Sequence, residues 1–144
     1  VVLEPGEKRE LTVAEERVLS QSVAIRSLSP ETVAFYLRQG ELLSPSLRSG
    51  LRELSRAQER LAEVRREMRA IEGEIEGIYN AQERIRQNMG VLDRESSLYE
   101  RYLAQLGSQE DALERLEERR GELRREEAAA QSEVEELIRS LSRL

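Results

Sequence analysis

Apolar residues recur as two long helical stripes along this chain of 144 residues. Over residues 61–89, and again over residues 106–144, they are spaced three and four residues apart in alternation. This is the a/d spacing of a heptad seam, in which one narrow apolar face of a helix packs against another helix. The pattern predicts two long helices, over about residues 44–89 and 96–144.

The connection between the two predicted helices is short, spanning about residues 90–95. Two helices of similar length joined by a short loop favour folding back on each other. We therefore expect an antiparallel coiled-coil hairpin over residues 44–144. With the reversal centred near residue 92, Ile75 is predicted to lie opposite about Gln109.

The turn residues have the types expected at helix ends. Gly90 is predicted to be the glycine that follows the first long helix, with Val91 packing back on Ile85. The sequence "SLYE" matches a capping box, in which Ser97 caps the second long helix and Glu100 occupies its third position.

The N-terminal part of the chain has a different pattern. Residues 1–28 alternate apolar and polar positions around a Pro-Gly turn, which predicts short strands. Residues 29–43 are predicted to form a short helix and a connector, with Ser29 as the cap and Pro30 in the first position. Ser44 is the predicted cap of the first long helix. The fold class is therefore mainly α, with a small N-terminal strand segment.

Four polar residues occupy predicted seam positions: Gln82, Gln109, Arg120 and Glu127. Buried polar residues in coiled coils cost stability and can specify register. One interpretation is that Arg120 extends to solvent and Glu127 marks a wet part of the seam. The other is that these residues form a binding spot for a partner.

Composition narrows the chemistry. Charged residues make up 36% of the chain, aromatic residues 3%, and there is no Cys or His. Thiol nucleophiles, imidazole bases and zinc sites with sulfur or nitrogen ligands are therefore excluded. No apolar run reaches the ~20 residues of a membrane-spanning helix. We predict no catalytic, cofactor-binding or metal-ligating residue, and no enzymatic activity.

The net charge of −6 argues against nucleic acid as a partner. The arginine pairs of the long helices are interspersed with glutamates, whereas nucleic-acid affinity needs a positive footprint. Pairs between arginines and glutamates on the same helix explain this arrangement.

The predicted turn carries two carboxylates, Asp93 and Glu95. Negative charge is favoured just before a helix N-terminus, so turn chemistry alone accounts for them. A second hypothesis is that they act as the acidic tip of a hairpin transcription factor on RNA polymerase. A third is that Tyr79, Tyr99 and Tyr102 group near the turn and contact a protein partner, since Tyr is a common interface anchor.

Three segments, in this order, resemble a known family. They are "EPGEKRELTVAEER", "LSPETVAFYLRQGELLSPSLRSGLREL" and "QERIRQNMGVLDRESSLYERYLAQLGSQEDALERLEERR". Together they are similar to the C-terminal region of uncharacterised bacterial mucoidy-inhibitor-like proteins. In that family a β-sandwich domain of unknown function precedes a coiled-coil tail. The resemblance implies an accessory or interaction role, and it brings no catalytic residues with it.

The predicted function is a non-enzymatic structural or protein–protein interaction module, a coiled-coil hairpin projecting from the β domain of a larger bacterial protein. Its partner would be another protein or a second copy, as a homodimer, because a hairpin leaves Val64, Leu103 and Ala112 partly uncovered. The alternative is the hairpin transcription factor with an acidic tip. The chain starts at Val1 in strand-like sequence, which we interpret as a fragment. The compartment, cytoplasmic or periplasmic, stays open.

Overall fold

The computed structural model describes residues 28–144, so the predicted strand segment lies outside the described residues except for Leu28. The described part is mainly helical and contains no strand. Its elements are α1 (Pro30–Arg38), a 3₁₀ turn (Gly40–Leu42), α2 (Pro45–Met89) and α3 (Ser97–Ser142). Helices α2 and α3 pack against each other, which confirms the prediction of two long packed helices.

Side-chain caps begin the first two helices at the predicted serines. Ser29 Oγ accepts a hydrogen bond from the Thr32 N–H at 3.2 Å, and Pro30 takes the first position of α1. Ser44 Oγ accepts from the Leu47 N–H at 3.2 Å at the start of α2. Each cap satisfies one of the backbone donors that a helix start leaves without a partner.

The described residues divide into two compact units, which we treat separately. The first combines the residues up to Arg60 with Ala130–Leu144. A Cβ on Gly50 would overlap Leu141 Cδ2. Helices α2 and α3 therefore approach closely at Gly50 within this unit. Its buried apolar side chains are Leu28, Val33, Leu43, Leu51, Leu54, Ala57, Val134 and Leu141.

The second unit, Leu61–Ala129, is built around an apolar layer. We use this name for the buried residues Ile71, Ile75, Leu113 and Leu123. All four occupy predicted seam positions, as do the partly buried residues that pack against them, Val64, Met68, Ile78 and Leu116. Fully burying one such side chain stabilises a fold by about 1.5–3 kcal/mol.

The contacts between α2 and α3 within this unit reveal the alignment of the helices. As the contacts advance along α2 they go back along α3: Arg65–Glu127, Glu67–Arg119, Gln82–Glu110 and Asn88–Tyr102. Three of these pairs are centred on residues 95–96 and Glu67–Arg119 is centred on residue 93, one to four residues beyond the centre of 92 used for the predicted pairing. The a/d spacing alone does not fix the pairing, because it repeats every seven residues and fits alignments that differ by one heptad.

The end of α2 also differs from the prediction. Gly90 does not have a positive φ. Its N–H donates to the Arg86 carbonyl at 3.1 Å, and the Val91 N–H donates to the Asn88 carbonyl at 3.3 Å. The Gly90 bond is still α-helical, and the bonding then tightens to the 3₁₀ type at Val91, which needs no left-handed residue. Val91 is 86% exposed, so it does not pack back on Ile85 as predicted.

The cap of α3 is Ser96, one residue before the predicted Ser97. Ser96 Oγ accepts from the Tyr99 N–H at 3.2 Å, and Ser97 is the first helical residue. Ser96 is held in place because its N–H and its hydroxyl both donate to the Asp93 carbonyl, at 3.1 and 2.7 Å. Glu100 therefore stands one position too far along for the predicted capping box.

Candidate functional site

Clusters of acidic residues can bind metal ions, and long apolar helices can span a membrane. Within residues 28–144, no group of three or more acidic residues is placed to hold a metal ion. Among the helices described, none has an apolar stretch long enough to cross a bilayer.

An open depression in the first unit is the next candidate. It has a volume of about 610 Å³ and is lined by residues 37–42 and Arg48. The Arg48 guanidinium donates to the Gly40 carbonyl, so part of its binding capacity is already used by the backbone. The arginine therefore ties the connector to α2.

The two turn carboxylates are both exposed, and one of them builds the turn. Asp93 Oδ1 accepts a hydrogen bond from the Glu95 N–H at 3.0 Å. This is an Asx turn, in which an aspartate side chain replaces a backbone acceptor. The structure thus shows that Asp93 stabilises the turn. Contact of Asp93 and Glu95 with a partner stays a prediction.

The three tyrosines predicted to group near the turn are not in ring contact. Within residues 28–144 the ring pair in contact is Phe35–Tyr36, with centroids 5.7 Å apart. Tyr102 is half-buried, and its hydroxyl accepts from Asn88 Nδ2 at 3.2 Å. Tyr99 is half-buried, whereas Tyr79 is 52% exposed. A role for these rings in binding stays a prediction.

Exposed aliphatic side chains follow the end of α2. Val91 is 86% exposed, Leu98 38% and Leu103 50%. Sequence reasoning missed Val91, which was predicted to pack back on Ile85, and it gave no sign that Leu98 is exposed. We call these three residues the turn surface. Only the predicted partial exposure of Leu103 pointed to it.

A second feature lies within the seam of the second unit. Gln82 is 1% exposed, and its Nε2 donates to Glu110 Oε1 at 2.8 Å. Gln109 Oε1 is buried and has no hydrogen-bond partner within the described residues. We call Gln82, Gln109 and Glu110 the polar layer. Gln82 and Gln109 were predicted seam residues, whereas Glu110 was not singled out.

The other two polar seam residues form ion pairs. Arg120 pairs with Glu117 on its own helix, and its side chain is 25% exposed. Glu127 Oε1 accepts from Arg65 Nε at 2.9 Å, across to α2. Both charges are thus satisfied within the second unit.

Arg119, which the sequence reasoning did not select as a seam residue, connects three glutamates. Its guanidinium lies 2.9 Å from Glu67 on α2, and 3.0 and 3.1 Å from Glu122 and Glu126 on α3. Hydrogen bonds to Glu67, then to Glu122 and Glu126, raise the pKa of Arg119 above its ordinary value. The spacing of Arg119, Glu122 and Glu126 along α3 was visible in the sequence. The contact between Arg119 and Glu67 was not, because it depends on how the two helices are aligned.

Comparison with protein-family models, with curated proteins and with solved structures finds no match to this chain.

Proposed function

We propose that this chain is a non-enzymatic protein-interaction module, in which α2 and α3 form an antiparallel coiled-coil hairpin. The opposite order of the contacts along the two helices supports the antiparallel arrangement. The resemblance to mucoidy-inhibitor-like proteins suggests that the module belongs to a larger bacterial protein.

The observation that carries this proposal is the turn surface. Seam residues on either helix are buried, such as Ile85 and Leu113, whereas Val91, Leu98 and Leu103 face solvent within a short stretch of chain. Exposed aliphatic side chains that form one patch are typical of contact surfaces, while singly scattered ones are ordinary. That these three form one patch is inferred from their nearness along the chain. Another protein, or a second copy of this chain, would cover them.

The test replaces the turn surface with serines, as Val91→Ser, Leu98→Ser and Leu103→Ser together. The matched control places serine at three exposed apolar positions of the described chain outside the turn, Phe35, Leu42 and Leu144.

Both variants are compared with the unchanged chain by sedimentation equilibrium and by cross-linked pull-down. The turn variant should lose self-association or its bound protein, and the control should keep it. If both variants bind as the unchanged chain does, the turn is not the contact surface.

The exposure of Asp93 and Glu95 keeps the transcription-factor hypothesis as a second candidate. Its test is Asp93→Asn with Glu95→Gln, which removes charge while keeping size. The control is Glu72→Gln with Glu76→Gln, two carboxylates on α2. Loss of an effect on transcription by RNA polymerase in the turn variant alone would favour this candidate. An equal effect of both variants, or of neither, would reject it.

A further inference from the structure

The apolar seams of α2 and α3 fit two alignments that differ by one heptad, about seven residues. In the observed alignment Gln82 meets Glu110, a pair whose midpoint is residue 96. In the other alignment facing residues would be centred near residue 92, so that Ile75 would face Gln109. Apolar faces meet in both, so the apolar seam alone does not choose between them.

Polar seam residues distinguish the two alignments. In the observed one, Gln82 is 1% exposed and bonds to Glu110. In the other, Gln82 would face the region of Tyr102 and lose Glu110, while Gln109 would be set against Ile75. A buried amide left without a partner is costly, because it loses its hydrogen bonds to water. Exposed ion pairs contribute less. The Gln82 amide therefore dominates the choice.

We propose that the polar layer of Gln82, Gln109 and Glu110 selects the alignment of α2 and α3. It is a conformational device that rejects the alignment one heptad away. The inference rests on the packing of the two helices within residues 61–129, and it does not require the partner proposed above.

Within the polar layer, Gln82 is the residue that decides. Gln109 Oε1 lacks a partner within the described residues even in the observed alignment. The hydrogen bond that a one-heptad shift of the helices would break is therefore that of the Gln82 amide. Moving this amide by one heptad along α2, to position 75, should make the other alignment the better one, because the relocated amide would then meet Gln109.

The test uses a distance between two spin labels, which is convenient because the chain has no Cys. Labels are attached at Glu76→Cys and Glu114→Cys, both exposed positions in the second unit. The relocation variant combines Ile75→Gln with Gln82→Ile. A shift of one heptad moves α3 along α2 by about 10 Å, at 1.5 Å per residue.

The unchanged chain should give one inter-label distance, and the relocation variant should give a different one that reflects this displacement. A control, Gln87→Ile, removes an exposed glutamine of α2 and should leave the distance unchanged. An unchanged distance in the relocation variant, with its helix content retained by circular dichroism, would overturn the proposal.

A second variant covers the case in which the relocation variant does not fold. Gln82→Ile alone removes the selecting amide without placing another in the apolar layer. It should populate both distances. If it retains a single, original distance, the polar layer does not select the alignment. Both measurements use the chain without any partner, so they are independent of the pull-down results.

Discussion

The apolar layer and the polar layer occupy the same seam of the second unit but have different physical roles. The apolar layer buries Ile71, Ile75, Leu113 and Leu123, and any heptad-spaced neighbour would serve these side chains about equally well. The polar layer buries the Gln82 amide, whose Nε2 donates to Glu110 because that carboxylate lies opposite. The comparison teaches that different positions along the same two helices supply most of the stability and select which residues face each other.

The largest expected effect comes from the apolar layer. Leu123 is 0% exposed, and Leu123→Ala would leave a cavity in that layer. Substitutions of this kind cost about 2–5 kcal/mol. Urea unfolding followed by circular dichroism measures the loss. As a control, Leu103→Ala removes a side chain that is 50% exposed and should cost much less. Equal losses would contradict the description of this layer.

Next in size is the loss of the acceptor in the polar layer. Glu110→Ala would leave the Gln82 amide buried without its bond, at a cost of about 1–3 kcal/mol. Glu114→Ala, on the same helix and exposed, is the matched control and should change stability by less than about 0.5 kcal/mol. The comparison uses thermal unfolding of both variants. If Glu110→Ala is as neutral as its control, the bond to Gln82 contributes nothing.

Replacing two glycines of α2 by alanine should have a smaller effect on stability, and the effect should differ between the two positions. A Cβ at Gly73 would meet no atom within 4 Å. Gly73→Ala should therefore stabilise the chain by about 1 kcal/mol through helix propensity. Gly50→Ala should not, because its Cβ would overlap Leu141 Cδ2 and that side chain would have to move. Melting temperatures compare the two, and equal stabilisation would show that Gly50 is not at a close approach.

The smallest effect is expected for the charged surface. Arg119→Ala removes contacts to Glu67, Glu122 and Glu126 in a group that is solvent-accessible. Exposed ion pairs contribute little, and salt screens them. A slight fall in melting temperature at low salt should disappear in about 1 M salt, where the screening length is about 3 Å. A large loss that persists in high salt would mean that Arg119 is a packing residue.

Periodicity made the helices and their apolar faces predictable. Apolar residues at a/d spacing indicated which side of α2 and α3 is buried, and Leu113 and Leu123 are buried as that spacing implies. Local chemistry likewise predicted the caps at Ser29 and Ser44, because a serine before a proline has few other roles at a helix start.

The alignment of the helices was not predictable in the same way, since a heptad pattern repeats itself. The cap of α3 was misassigned for a related reason, because Ser96 and Ser97 are adjacent and equally suited to cap. Bonds from Ser96 to the Asp93 carbonyl decide between them, and these exist only once the turn has formed. The contacts of Arg119 with Glu67 depend on the alignment as well.

The contact between Gln82 and Glu110 is the central claim, and a double-mutant cycle tests it most directly. The cycle compares the unfolding free energies of the unchanged chain, Gln82→Leu, Glu110→Ala and the double variant. Because the two residues are in contact, their effects should be non-additive, with a coupling energy of about 0.5–3 kcal/mol. Additive effects, within about 0.3–0.5 kcal/mol, would mean that Gln82 and Glu110 do not meet and would contradict the alignment described above.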